Sequence, residues 1–125
     1  MAFLTLRAYL KLISFEFCLR RNDFRFLYEK VRNCSVTSRK PSNFALEHVC
    51  AAIETACIWY WKEALCLQRS AATACLLKSA GIPAEMIIAA QVLPFRAHAW
   101  VEVDGHVVND RPYISEVYPL LLDRC

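Results

Sequence analysis

At Gly81-Ile82-Pro83 the apolar residues change period, and this break constrains the fold more than any other feature of the chain. Before it, apolar residues recur at helical spacing, as in Leu46, Val49, Cys50, Ile53, Cys57 and Trp61. After it come "AEMIIAAQV", "AHAWVEV" and "HVVND", short runs that are β-branched or alternate in polarity. The spacing predicts helices over 4–19, about 23–33, from an N-cap at Ser42 or Asn43 to about Trp61, and from about Leu65 to Ala80. Gly81 suits the residue just past that last helix, and Pro83 prevents its continuation. Helices first and strands afterwards define an α+β chain, with helices packed on an antiparallel sheet.

At 125 residues the chain is about one domain. Apolar residues make up 57% of it, enough for a core, and charged residues 22%, so a disordered chain is not expected. A net charge of +3 gives no footing for nucleic acid. The charge is uneven: residues 1–40 carry nine Lys and Arg against three Asp and Glu, residues 41–125 six against nine. The organisation expected is therefore a basic, amphipathic helical segment at 1–43, able to dock a partner, and a core at 44–125. The alternative for the basic segment is a solvated helix face. Arg7, Lys11 and Glu16 interrupt the apolar N-terminal run, and no basic stretch precedes it, so neither a signal peptide nor a membrane-spanning helix is expected. Contact with a membrane surface ranks behind contact with a protein.

The only two glycines, Gly81 and Gly105, both serve turns, so none is left for a phosphate-binding loop. The seven cysteines have no C-x-x-C spacing, and no metal site is expected. Most read as small core residues, a pattern that suits a reducing, cytoplasmic setting better than a disulfide framework.

Three residues carry a chemical pattern. Cys66 opens the helix that ends at Gly81, where free N–H groups and the helix dipole stabilise a thiolate and can hold an oxyanion. In "AHAWVEV", Ala97, Ala99, Val101 and Val103 share one face, and His98, Trp100 and Glu102 the other. Where Asp110 points depends on the turn at Asp104-Gly105. A two-residue loop pairs Val103 with His106 and sends Asp110 to the face opposite His98. A three-residue bulged loop pairs Glu102 with His106 and sets His98 directly against Asp110. The bulged loop is the expectation, because it gives Asp110 a partner. Cys66 as nucleophile, His98 as base and Asp110 as the acceptor that fixes the ring then form a triad. The competing reading is that such a cysteine packs and such a histidine is an ordinary hydrogen-bonded residue.

The block from Cys66 to Asp110 contains C-L-x-R-S, L-L-x-x-x-G-I-P-A, A-H-A-W-V-E and G-x-V-x-N-D, in that order. It resembles the transglutaminase-like cysteine peptidases of lasso peptide biosynthesis over about 45 residues. The resemblance implies a papain/transglutaminase-like fold, with Cys66, His98 and Asp110 catalytic, and cleavage of a precursor peptide between leader and core with no metal or cofactor. It further implies a stand-alone peptidase that works with a small leader-recognition protein and an ATP-dependent lasso cyclase. Residues 1–43 are candidates for binding one of these. A transglutaminase-like acyl transfer and a non-catalytic scaffold are the rival functions.

Arg69 and Ser70 follow Cys66 by three and four positions and are candidates to line a substrate groove. Trp100 is a candidate to shield the His98–Asp110 pair. Trp61, with Trp59 and Tyr60, is a candidate wall of the site. The competing reading of all four is core or helix-end packing. His48 and His106 read as surface residues.

Overall fold

A computed structural model describes residues 2–21, 24–37, 44–61 and 65–125. Four helices, α1 (Ala2–Arg20), α2 (Phe24–Asn33), α3 (Ala45–Trp59) and α4 (Cys66–Ser79), precede β1 (Glu85–Gln91), β2 (Arg96–Val103) and β3 (His106–Val107). A short helix, α5 (Ile114–Val117), and a further strand, β4 (Leu120–Arg124), close the chain. The α+β expectation is met. The capping expectation at Ser42 and Asn43 lies outside the described residues, and α3 stops at Trp59 rather than near Trp61.

The helix α4 is central because its sequence allows it to be. Ala71, Ala72, Thr73, Ala74, Cys75, Leu76 and Leu77 are all buried, so apolar contact surrounds the helix. Alanine is the best helix former, and its small side chain lets neighbours approach on every side. Helices α1 and α3 pack on one flank of α4 and the sheet on another. The helix ends in a Schellman motif: Ile82 N–H bonds Leu77 C=O, Gly81 N–H bonds Lys78 C=O, and Gly81 takes φ 87°.

One hydrophobic cluster joins Ala8, Leu12 and Phe15 of α1, Leu27 and Val31 of α2, Val49 and Ile53 of α3, the body of α4, and Met86, Ile88, Ala99 and Val101 of the sheet. The helices of segment 1–43 thus share the core of residues 44–125.

The sheet is antiparallel in the order β3-β2-β1-β4. Ile88 and Ala99 pair across β1 and β2 and face the main core. Ile87, Ala89 and Trp100 point the other way, into a second cluster with Ile114. The expected alternation along β2 is present. Strand β4 and helix α5 had no forecast.

Two expectations need correction. The hairpin is not bulged: Val103 pairs with His106 and Glu102 with Val107. Asp104 and Gly105 have φ of 52° and 77°, so both central residues are left-handed, as the two-residue type I′ turn requires. That turn matches the strand twist, and Asp-Gly is among its favoured sequences. Second, the cysteines are not all free: Cys75, which sits among Ala and Leu and reads as a core thiol, is joined to Cys34 in a disulfide. Cys34 lies just past α2, and the two Cα atoms are 5.6 Å apart, within the span of such a bridge. The irregular cysteine spacing gave no sign of it.

Candidate active site

Cys66 is the first residue of α4, after Leu65 in extended conformation. The first N–H groups of a helix lack partners within it. Here Gln68 reaches back, its Oε1 accepting from Leu65 N–H at 3.3 Å, while its Nε2 donates to Leu12 C=O at 2.6 Å and to Tyr60 Oη at 3.1 Å. Tyr60 Oη in turn donates to Glu16 at 2.9 Å. A buried polar chain therefore ties the first turn of the Cys66 helix to α1 and to the end of α3.

His98 sits on β2 opposite Ala89. Its Nε2 donates to Asp110 Oδ2 at 2.6 Å. The other carboxylate oxygen, Oδ1, accepts from Arg111 N–H at 2.7 Å, so Asp110 is held on both sides. Tyr118, which ends α5, stacks on the imidazole with centroids 5.0 Å apart and ring planes 20° apart. With Nε2 committed to Asp110, Nδ1 is the ring nitrogen left for a sulfur.

Cys66 and His98 line one cavity of about 260 Å³ with Tyr28, Leu67, Ile88, Ala97 and Ala99. Among the described contacts no hydrogen bond joins the Cys66 sulfur to the ring. The site has the parts for nucleophilic attack: a thiol at a helix N-terminus, an imidazole of fixed tautomer, and an apolar cavity.

The His98–Asp110 contact forms although the turn has the register predicted to separate them. Strand β3 ends at Val107, and the chain bends through Val108, Asn109 and Asp110. Asn109 is the residue at the bend: its Oδ1 accepts from Val101 N–H at 2.7 Å, and its Nδ2 donates to Ser70 Oγ at 3.2 Å.

Of the four further candidates, Arg69, Ser70, Trp61 and Trp100, only Trp100 lies beside the His98–Asp110 pair. Ser70 is buried and engaged with Asn109. Arg69 lines a separate small cavity with Cys50, Glu54 and Val108. Trp61 is exposed, with the Arg20 guanidinium 5.6 Å from its ring, in a hollow formed by α1 and Tyr60. Trp100 flanks His98 at 6.3 Å but is 1% exposed, and its Nε1 donates to Glu102 at 2.9 Å; Tyr118, not Trp100, covers the ring. His48 and His106 are exposed. Sequence reasoning assigned no role to Asn109, Tyr118 or Tyr28. Asn109 stood inside the G-x-V-x-N-D motif; the two tyrosines carried no local signal.

Among the described residues no group of three or more His, Cys, Asp and Glu converges on a point that could hold a metal. No described helix is long and apolar enough to cross a membrane.

The cysteine at the head of the central helix, packed on an antiparallel sheet bearing a His–Asp pair, agrees with what comparison shows: the chain belongs to the transglutaminase-like superfamily, whose match covers residues 9–121. It is similar to the microcin J25-processing protein McjB of Escherichia coli, 45% identical over 51 residues. That stretch is 41% of this chain and 24% of the relative, so the likeness spans about a quarter of the relative's length. No solved structure matches.

Proposed function

We propose that this chain is a cysteine endopeptidase that removes the leader from a lasso peptide precursor. The observation that carries the reading is the shared cavity: Cys66 at a helix N-terminus and His98, pinned by Asp110, line the same apolar hollow. Similarity to a protein named for processing a microcin supports the substrate class.

In this reading the Cys66 thiol gives its proton to His98 Nδ1, its sulfur attacks the scissile carbonyl carbon, and the N–H groups at the start of α4 receive the developing oxyanion. The imidazolium of His98 gives its proton to the leaving amine as the C–N bond breaks, leaving a thioester on Cys66. His98 then takes a proton from water, which attacks the thioester and releases the carboxylate product with the thiol restored. Asp110 accepts from Nε2 throughout and keeps Nδ1 toward the sulfur. Contacts of this kind often tighten only around bound substrate, which accords with a free Cys66–His98 approach here.

The partners proposed are the precursor's leader, a small leader-recognition protein and the ATP-dependent cyclase. Phe3, Leu6, Leu10 and Phe17 of α1 are exposed, and they are the proposed contact for the recognition protein. A cytoplasmic setting belongs to the same proposal; it rests on the partners named above and not on the cysteines, two of which are bridged.

The test is precursor cleavage with the recognition protein present, read as a leader-sized mass loss. Loss of cleavage in Cys66→Ala supports the reading. Cleavage retained at the wild-type rate in Cys66→Ala sinks it in favour of a scaffold. Transfer of the acyl group to an added amine, with no hydrolysis, would assign the chain to acyl transfer instead.

A further inference from the structure

We propose that Asn109 is a positioning residue that ends strand β3 and turns Asp110 onto His98; the inference rests on the peptidase reading and names what assembles its base. The two-residue turn sets the parity of the hairpin, pairing Val103 with His106 and Glu102 with Val107. Continued, that ladder sets Asp110 opposite Ala99, on the face toward α4 and away from His98. The ladder stops instead. At the next pair, Val108 N–H still bonds Val101 C=O at 3.0 Å, but the return bond is missing. Val101 N–H goes to the Asn109 side chain at 2.7 Å, where an antiparallel ladder would use the Val108 carbonyl. The displaced Val108 carbonyl accepts from the Cys50 thiol at 3.7 Å. The side chain of Asn109 therefore substitutes for one rung, and the main chain is free to turn over before Asp110.

The other half of the amide reaches the nucleophile's helix. Asn109 Nδ2 donates to Ser70 Oγ, and Ser70 lies one turn after Cys66 on α4. One side chain thus ties together the strand that carries His98, the helix that carries Cys66 and the residue next to Asp110. Alanine at 109 leaves the Val101 N–H to the Val108 carbonyl, which extends the ladder and sends Asp110 to the wrong face. Aspartate retains an acceptor for Val101, and the Ser70 hydroxyl can turn to donate to it.

The experiment compares wild type, Asn109→Ala, Asn109→Asp and Ser70→Ala in precursor cleavage with the recognition protein, and records the histidine ring nitrogens by NMR. Asn109→Ala is expected to lower kcat by tenfold or more with KM within about threefold, since Asn109 does not line the cavity shared by Cys66 and His98. Its His98 ring loses the fixed Nε2–H tautomer, an effect that simple destabilisation of a protein still folded does not produce. Asn109→Asp is expected to recover most of kcat, and Ser70→Ala, which removes one of the two tethers, to lose a few-fold. If Asn109→Ala does not fold, the Ser70→Ala loss and the Asn109→Asp recovery carry the test. Wild-type kcat and an unchanged His98 signal in a folded Asn109→Ala, or in its absence in Ser70→Ala, overturn the proposal. Cys66→Ala in the same assay separates the two failures: if it is inactive while Asn109→Ala is normal, only this inference falls.

Discussion

His98 Nε2 lies 2.6 Å from Asp110 Oδ2, and the same carboxylate takes the N–H of Arg111 through its other oxygen. A carboxylate so held can only accept, which forces the proton onto Nε2 and leaves Nδ1 as the free ring nitrogen, the base of the proposed mechanism. Asp110→Asn keeps the shape but introduces a donor, which favours the opposite tautomer. Precursor cleavage is expected to fall by roughly 10²–10⁴-fold, with little change in folding, as when the orienting acid of a triad is replaced. Single-turnover rates with matched circular dichroism check it.

Cysteine reactivity should separate along the chain. Burial pushes the Cys50 thiol up, aided by Glu54 and Glu47. Burial likewise raises Cys57, with Arg69 opposing and Glu54 adding to the rise. Burial raises Cys125 too, with Asp123 adding and Arg32 and Lys78 opposing. A raised thiol carries less thiolate at any given pH below it, so these three alkylate slowly near neutrality and speed up only as pH climbs. Cys66 is partly buried like Cys50 and Cys57, but it opens α4 and lines the cavity with His98, and it is expected to label first at pH 7. Peptide mass spectrometry across a pH series reads each site; Cys66 lagging with Cys50 would count against a poised nucleophile.

Tyr118 covers the imidazole through its ring rather than its hydroxyl. Aromatic pairs of this kind contribute about 0.5–1.5 kcal/mol. Tyr118→Phe is therefore expected to cleave within about twofold of wild type, while Tyr118→Ala loses roughly two- to tenfold. Equal losses in the two variants would instead point to the hydroxyl.

Much of the architecture was legible because it follows from periodicity. The change at Gly81–Pro83 separated helices from strands, and the helix expected from about Leu65 to Ala80 is α4, although its all-round burial was not read from the sequence. The His98–Asp110 contact was expected and is present, yet the register offered for it is not. Strand parity counts main-chain rungs, and it cannot register a side chain such as Asn109 that takes a rung's place. Tyr118 and Tyr28 reach the site by long-range packing, with nothing in their neighbourhoods to announce it. Strand β4 escaped notice because Leu120, Leu121 and Leu122 neither alternate in polarity nor lie buried.

The Cys34–Cys75 disulfide links the end of α2 to the middle of α4 across 41 residues of sequence. Closing a loop of that length is expected to stabilise the fold by about 2–4 kcal/mol. Reduction, or Cys34→Ala with Cys75→Ala, should lower Tm by on the order of 10 °C. Non-reducing peptide mapping should recover the two cysteines as one cross-linked species. Free Cys34 in the purified, air-exposed protein would contradict it.

Helix α1 has one buried and one exposed apolar face, and a pair of leucines distinguishes them. Leu12 is fully buried between α1's neighbours, and its backbone carbonyl anchors Gln68. Leu10 is about half exposed on the opposite side. Leu12→Ala is expected to cost about 2–5 kcal/mol, as for other buried leucines, whereas Leu10→Ala should stay within about 0.5 kcal/mol. Deleting residues 1–20 would strip Ala8, Leu12, Phe15 and Cys18 from the core, so such a truncation reports folding and not docking. The docking role proposed for α1 is tested instead by Leu6→Asp with Leu10→Asp. Chemical denaturation should find that variant as stable as wild type, while its binding to the recognition protein falls at least tenfold. Unchanged binding would remove α1 from the proposed interface.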